Sequence, residues 1–352
     1  MLAAEALSND VNPICVSPNR FGNRGGGGQP LHGHLAMLLF VDPRPAISVV
    51  IVSDYAAGGP LAARDMRTAI SALAQQDLDE TAEFLLIESE CFRDDLPADL
   101  ASILPSIQTL FFQETESYPL KNHGVAAAAA EFVAILDADC IPDPTWLRRL
   151  LNVLRENASI AAVSGKTVYP NSSFSARVCA LLARSYIDPG HAGTTHFIAI
   201  NNCAFRRSAY VAHPLPTGIG TFSSRVQSEM LVRDGWTLWF DPAIVVVHDF
   251  EGWTMEADLR RNAGHGTVVT RLRDSSLPYA GLVRLGPVSI PVILAGKIID
   301  SWRDCMRCGP QYGVSWPNIP VAMFLSIGIH ALEIPGMLQA FRHPRLRQSF
   351  FR

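Results

Sequence analysis

The sequence predicts an α/β protein with a mostly parallel sheet flanked by helices, followed by an apolar helical segment at the C-terminus. Three observations carry this. Residues 47–52 and 132–136 are unbroken apolar runs, and strands that do not alternate are those buried on both faces of a parallel sheet. Stretches with helical spacing separate such runs, and β-α-β alternation calls for right-handed crossovers. The run Phe132-Val133-Ala134-Ile135-Leu136 leads straight into Asp137-Ala138-Asp139 and is closed by Pro142. Acids at the carboxyl end of a strand sit where open α/β sheets bind ligands.

Taken in order, residues 1–44 read as a flexible tail, with Gly25-Gly26-Gly27-Gly28 among Asn, Pro and Arg. Residues 47–52 form the first strand, rich in β-branched side chains. Residues 61–76 follow as a helix, with Met66, Ile70 and Leu73 on one face. Strands are expected at 83–90 and 106–112, an alanine-rich helix at 121–130, and the strand at 132–136. A helix over 144–157, a strand near 160–165, a further apolar segment over 197–205, a helix over 228–234, a strand over 243–249 and a basic helix or helix-loop over 255–273 complete a domain placed at 45–275. Residues 276–352 are set apart by two apolar stretches, 282–299 and 319–340, each interrupted by proline. Each also carries ionisable residues (Arg284 and Lys297, His330 and Glu333), so neither reads as a clean membrane span. They read as buried core helices, as re-entrant or interfacial helices, or as a short hairpin in the bilayer, and association with a membrane is the expectation they raise.

Composition narrows the class. Apolar residues are 48% and charged residues 18% of 352, which excludes global disorder. A net charge of −4 without a basic block argues against nucleic acid as partner. Seven scattered cysteines show no disulfide framework and point to a reducing compartment. Cys305-x-x-Cys308 lacks the second ligand pair that a structural zinc site needs. The first twenty residues lack a basic segment followed by an apolar one, so no secretory signal is expected.

The chemistry centres on Asp137 and Asp139. Residues i and i+2 of an extended segment point the same way, so the two carboxylates are expected to face one cation. Oxygen ligands suit Mg²⁺ or Mn²⁺, which bind through one or two carboxylates plus substrate phosphates. The plainer reading is a solvated loop or a helix cap, as Asp143 before Pro144 suggests. His248 is either a strand end or a third ligand. Asn202 caps a turn or faces the site. Asn122 and His123 open a helix or touch a ligand. Trp236 and Trp253 are core or stack on a ligand, and Arg260-Arg261 binds phosphate or lipid headgroups or is a solvated face.

In this order the features resemble the family 2 inverting glycosyltransferases of the GT-A fold. The pieces that carry the resemblance are residues 47–52, Lys121-Asn122-His123-Gly124-Val125-Ala126, residues 132–139, Asn202-Cys203-Ala204-Phe205-Arg206-Arg207, and the stretch from Asp241-Pro242 to His248. The resemblance implies a nucleotide-diphospho-sugar donor and Mn²⁺ or Mg²⁺. It puts Asp139 on metal and diphosphate, and Asp137 near the ribose or the metal. It also gives His248 as a metal ligand, and Asp54, Glu88, Lys121, Asn122 and Asn202 around the donor. The acceptor it implies is a lipid-linked or cell-envelope glycan, at the cytoplasmic face of the plasma membrane or in the cytoplasm. The sequence departs from the family at Glu88-Ser89-Glu90, where Asp-Asp-Gly-Ser is usual, and at the acceptor side, where no Glu-Asp pair follows Gly218-Ile219-Gly220. Inverting transfer needs a carboxylate base, and Glu229 is the nearest candidate. A catalytically degenerate nucleotide-sugar-binding scaffold is the alternative. A haloacid-dehalogenase-type phosphatase fits less well, since about ninety ordered residues precede the Asp-x-Asp and Cys140 follows it.

Overall fold

The computed structural model describes residues 44–53, 60–170, 173–250 and 252–344. The tail expected up to residue 43 and the donor-site candidate Asp54 lie outside the described residues. Pro43–Arg352 form one unit, which holds both the sheet and the C-terminal helices.

Nine strands make one sheet: β1 Ile47–Val52, β2 Ala82–Ser89, β3 Ile107–Phe112, β4 Phe132–Asp137, β5 Cys140–Pro142, β6 Ile160–Val168, β7 Gly193–Thr195, β8 Asn202–Arg206 and β9 Thr237–His248. The order is β3-β2-β1-β4-β8-β6-β9-β5, with β7 also on β9. The four strands β1 to β4 are parallel, and every residue of β1 and β4 is buried, as their unalternating sequences require. Beyond β4 the sheet is mixed. β8 runs antiparallel to both β4 and β6, while β6 and β9 are parallel.

The helices are α1 Pro60–Leu73, α2 Leu100–Ile103, α3 Ser117–Ala127, α4 Trp146–Glu156, α5 Phe174–Arg184, α6 Arg207–Ala212, α7 Ser223–Arg233, α8 Trp253–Arg273, α9 Ala280–Val283, α10 Ile290–Cys308, α11 Ile319–Ala331 and α12 Ile334–Arg342. They cover both faces. Ile47, Val49 and Ile51 pack with α1 and α4, while Val50 and Val52 pack with α3, α6 and the Leu231 side of α7. In α4 the sequence spacing is realised directly: Trp146, Leu147, Leu150, Leu151 and Leu154 form one buried stripe.

β9 is kinked where the site needs it. Its register against β6 shifts between Gly165 and Lys166, and a Cβ on Gly165 would lie 1.9 Å from the Ile244 carbonyl oxygen. Only glycine allows that approach. The kink carries the end of β9 onto β5, with His248 directly opposite Cys140.

The C-terminal helices rest on the rest of the chain. α10 and α11 share an apolar cluster with α5, and α12 shares one with α8. Cys305 and Cys308 are buried in the first of these clusters. Between the helices lies a buried polar chain: Lys297 bonds Glu333, Glu333 accepts from His330 Nδ1 at 2.9 Å, and His330 Nε2 meets Ser301 Oγ at 2.7 Å. Burial pushes the Glu333 carboxyl up, but Lys297 and His330 outweigh it and hold it at about 2.

Candidate functional site

The centre forms where β4 stops. Asp137 ends the strand, Ala138 and Asp139 make a turn, and β5 begins at Cys140. Pairing of β5 with β9 brings Asp139 Oδ2 to 3.3 Å from His248 Nε2, across 108 intervening positions of sequence that only the sheet register can join. His248 Nδ1 lies 2.6 Å from the Asp249 carbonyl oxygen, which can only accept, so Nδ1 carries the proton and Nε2 is turned to the carboxylate. Metal-ligating imidazoles are oriented in this way, by donating their other N–H to a carbonyl or carboxylate.

Electrostatics follow from that pairing. Burial disfavours the charged form of both groups, yet each outweighs it for the other. Asp139 is held below the usual carboxylate value and His248 well above the usual imidazole value. Cys140 goes the opposite way: burial and the nearby aspartate charges push its thiol well up, so it is a neutral thiol.

A ring of polar contacts frames the centre. The Tyr169 and His248 rings lie 5.3 Å apart. Arg184, at the end of α5, donates through Nη2 to Tyr169 Oη at 3.2 Å and through Nη1 to Asn201 Oδ1 at 3.0 Å. Asn201 Nδ2 donates in turn to Thr167 Oγ1 at 3.2 Å and to Cys140 Sγ at 3.4 Å. Sequence reasoning missed Tyr169, Arg184 and Asn201. The two asparagines inside the apolar stretch 197–205 were a signal for one of them: Asn201 sits in the turn before β8 and frames the centre, while Asn202 opens the strand.

A divalent cation fits this chemistry. Ligand atoms of Asp139, Cys140 and His248 lie within 4.8 Å of one another. Asp139 Oδ1 is buried with no hydrogen-bond partner among the described residues. Asp139 and His248 are the groups that would hold the ion, with Cys140 a neighbour whose soft sulfur suits Mg²⁺ and Mn²⁺ poorly.

The other expected site residues fall elsewhere. The extended geometry assumed for Asp137 and Asp139 is broken by the turn at 138–139. Asp137 instead meets Lys121 Nζ at 2.8 Å, and Lys121 is fully buried on α3. Asn202 is a strut: its Oδ1 accepts from Trp146 Nε1 at 2.7 Å and its Nδ2 donates to the Lys166 carbonyl at 3.1 Å. Asn122 clamps the chain at Leu215, donating to its carbonyl at 2.9 Å and accepting from its N–H at 3.0 Å. Glu88 is fully buried at the end of β2, where its Oε1 accepts from Ser89 N at 2.6 Å. His123 stacks on Phe112, Trp236 packs against the core, and Arg260 is buried against Glu256 at 2.6 Å.

Glu229 lies toward the start of β9 and not toward its end. It accepts from Arg225 at 3.1 Å and lines a cavity of about 330 Å³ with His196, Arg233 and residues 276–278. His196 follows Thr195, which pairs with Leu238 at the start of β9, whereas His248 is the last residue of that twelve-residue strand. At about 3.3 Å per residue the two ends lie on the order of 30 Å apart, less the shortening at the kink. Glu229→Gln is therefore expected to leave turnover within roughly twofold of wild type, far from the ~10²–10⁴ loss that removal of a general base produces. A steady-state assay of the variant checks this.

Residues 67–212 match the family model described as Glycosyl transferase family 2. Among solved structures, the chain is similar to the mannosyltransferase PcManGT from Pyrobaculum calidifontis in complex with GDP-Man and Mn²⁺. The TM-score is 0.53 and the identity 17%, over 84% of this chain and 87% of that one. At that identity the likeness speaks for the fold. No curated protein matches the chain.

Proposed function

Since the chain carries a family 2 glycosyltransferase domain on a GT-A fold, we propose that it transfers a hexosyl unit from a nucleotide-diphosphate donor to a glycan or lipid-linked acceptor, with inversion. The observation that carries this reading is the Asp139–His248 pair at the carboxyl edge of the sheet. The neighbour's GDP-Man and Mn²⁺ support a nucleotide-sugar donor and a hard cation. Asp139 and His248 would hold such a cation, which would supply positive charge to a departing diphosphate. The chain's own residues do the rest. His248 is oriented by the Asp249 carbonyl, and Tyr169 backs its ring. Arg184, tied to Tyr169 and Asn201, keeps a guanidinium beside the centre and favours an anionic ligand there. The acceptor-side base is a carboxylate other than Glu229. A cell-envelope acceptor and the cytoplasmic face of the plasma membrane fit the apolar C-terminus.

The test is calorimetry with a panel of nucleoside diphosphates, with and without Mn²⁺. Binding of one nucleotide that needs the ion supports the reading. Absence of binding to all of them, with the fold intact, would move the weight to a non-catalytic scaffold. Arg184→Ala is expected to weaken that binding roughly tenfold or more, since a hydrogen bond to a charged group contributes about 1.5–3 kcal/mol. An unchanged dissociation constant would leave Arg184 a frame residue only.

A further inference from the structure

We propose that α10, α11 and α12 lie flat on an anionic bilayer surface and do not cross it. This deepens the transferase reading and rests on it for its purpose, which is to hold the domain where a lipid-linked acceptor is presented.

By length and composition the stretch Trp316–Arg342 is apolar enough to span a membrane, its most apolar 18-residue window having mean hydropathy 1.6. The structure uses them otherwise. The helix is interrupted at Leu332 and Glu333, between α11 and α12. His330 and Glu333 are buried inward, where they bond Ser301 and Lys297 of α10. α12 lies so close to α8 that a Cβ on Gly336 would come within 1.8 Å of the Arg261 carbonyl oxygen. α11 is in turn packed with α5. A crossing helix would need lipid or other spanning segments on the sides that this protein body occupies.

One side remains open. The contacts 297–333, 301–330 and Trp302 Nε1 to the Met323 carbonyl run α10 antiparallel to α11 and α12. Ile299 is thereby level with Ile327, and Met306 with Val321, and all four are exposed. Val288 and Phe324 are 76% and 74% exposed. No exposed residue between Arg284 and Asp300, or between Arg307 and Arg342, carries a charge. An uncharged aliphatic and aromatic surface of this extent marks an interaction face.

Charge selects the occupant. Residues 284–352 hold eight Lys and Arg against three Asp and Glu, a net +5, while residues 1–283 carry −9. A second copy would set one basic end against another. A bilayer with anionic headgroups matches both features, since it attracts the arginines and takes up the apolar face at the headgroup boundary.

The experiment is co-sedimentation of the full chain with phosphatidylcholine vesicles, with and without phosphatidylglycerol. The comparison is with Val288→Asp and Phe324→Asp, whose exposed side chains leave the core untouched. Wild type is expected to bind the anionic vesicles and to be released by alkaline carbonate, and each variant is expected to bind at least about tenfold more weakly. Failure to bind either vesicle, resistance to carbonate, or a dimer that the variants convert to monomer would each overturn the proposal. Mn²⁺-dependent nucleoside-diphosphate binding is measured on the same preparations. Nucleotide binding without vesicle binding sinks the docking face alone; vesicle binding without nucleotide binding sinks the transferase reading.

Discussion

Asp139→Asn is expected to lower Mn²⁺-dependent turnover by roughly 10²–10³-fold, the scale of removing one preorganised charge-stabilising group from a site. The reason is local. Asp139 offers the buried Oδ1 without a hydrogen-bond partner among the described residues, and its other oxygen faces His248 Nε2. An amide keeps the shape and loses the charge, so neither ion nor imidazolium is held as before. The fold should survive, because the aspartate sits in a turn and the amide keeps its shape. Turnover and thermal unfolding, measured on the same sample, should therefore separate: activity falls while the midpoint stays near wild type. Wild-type turnover in the variant would remove Asp139 from the centre.

Asp137→Asn, two residues earlier, is expected to do the reverse. Here the carboxylate is the counter-ion of Lys121, whose side chain is 0% exposed. Removing one charge of a buried pair leaves the other without compensation, at a cost of about 3–5 kcal/mol. Chemical denaturation should show the midpoint falling with the slope unchanged. Residual protein that remains folded should still bind Mn²⁺ through Asp139 and His248. If Asp137→Asn instead proves as stable as wild type and loses the metal, the two aspartates act together and the division of labour drawn here is wrong.

That division shows how far the sequence could be read. β1 and β4 were legible because burial on both faces leaves continuous apolar runs, and the α4 stripe was legible from its spacing. Local patterns carry such elements. α5 went unread although Ser173 caps it, with Ala176 N donating to Ser173 Oγ at 3.3 Å. α7 was expected to begin at Ser228 and begins at Ser223. What no local pattern held was register. The pairing of Cys140 with His248 is a property of the closed sheet, and it makes Asp139 rather than Asp137 the group that meets the imidazole. Lys121 and Asn202 were drawn to the site by their neighbours in sequence, yet α3 and β8 direct them into the interior. Height along the sheet was equally illegible for Glu229: its helix runs toward the start of β9, away from His248 at the end of that strand.

The most direct test of the Asp139–His248 centre is release of nucleoside diphosphate from a panel of nucleotide sugars. Wild type and His248→Ala would be compared in Mn²⁺ and in a chelator. The account predicts that one nucleotide sugar is consumed by wild type in Mn²⁺ only, and that the variant loses most of that rate. Equal consumption in the chelator, or an unimpaired variant, would contradict it.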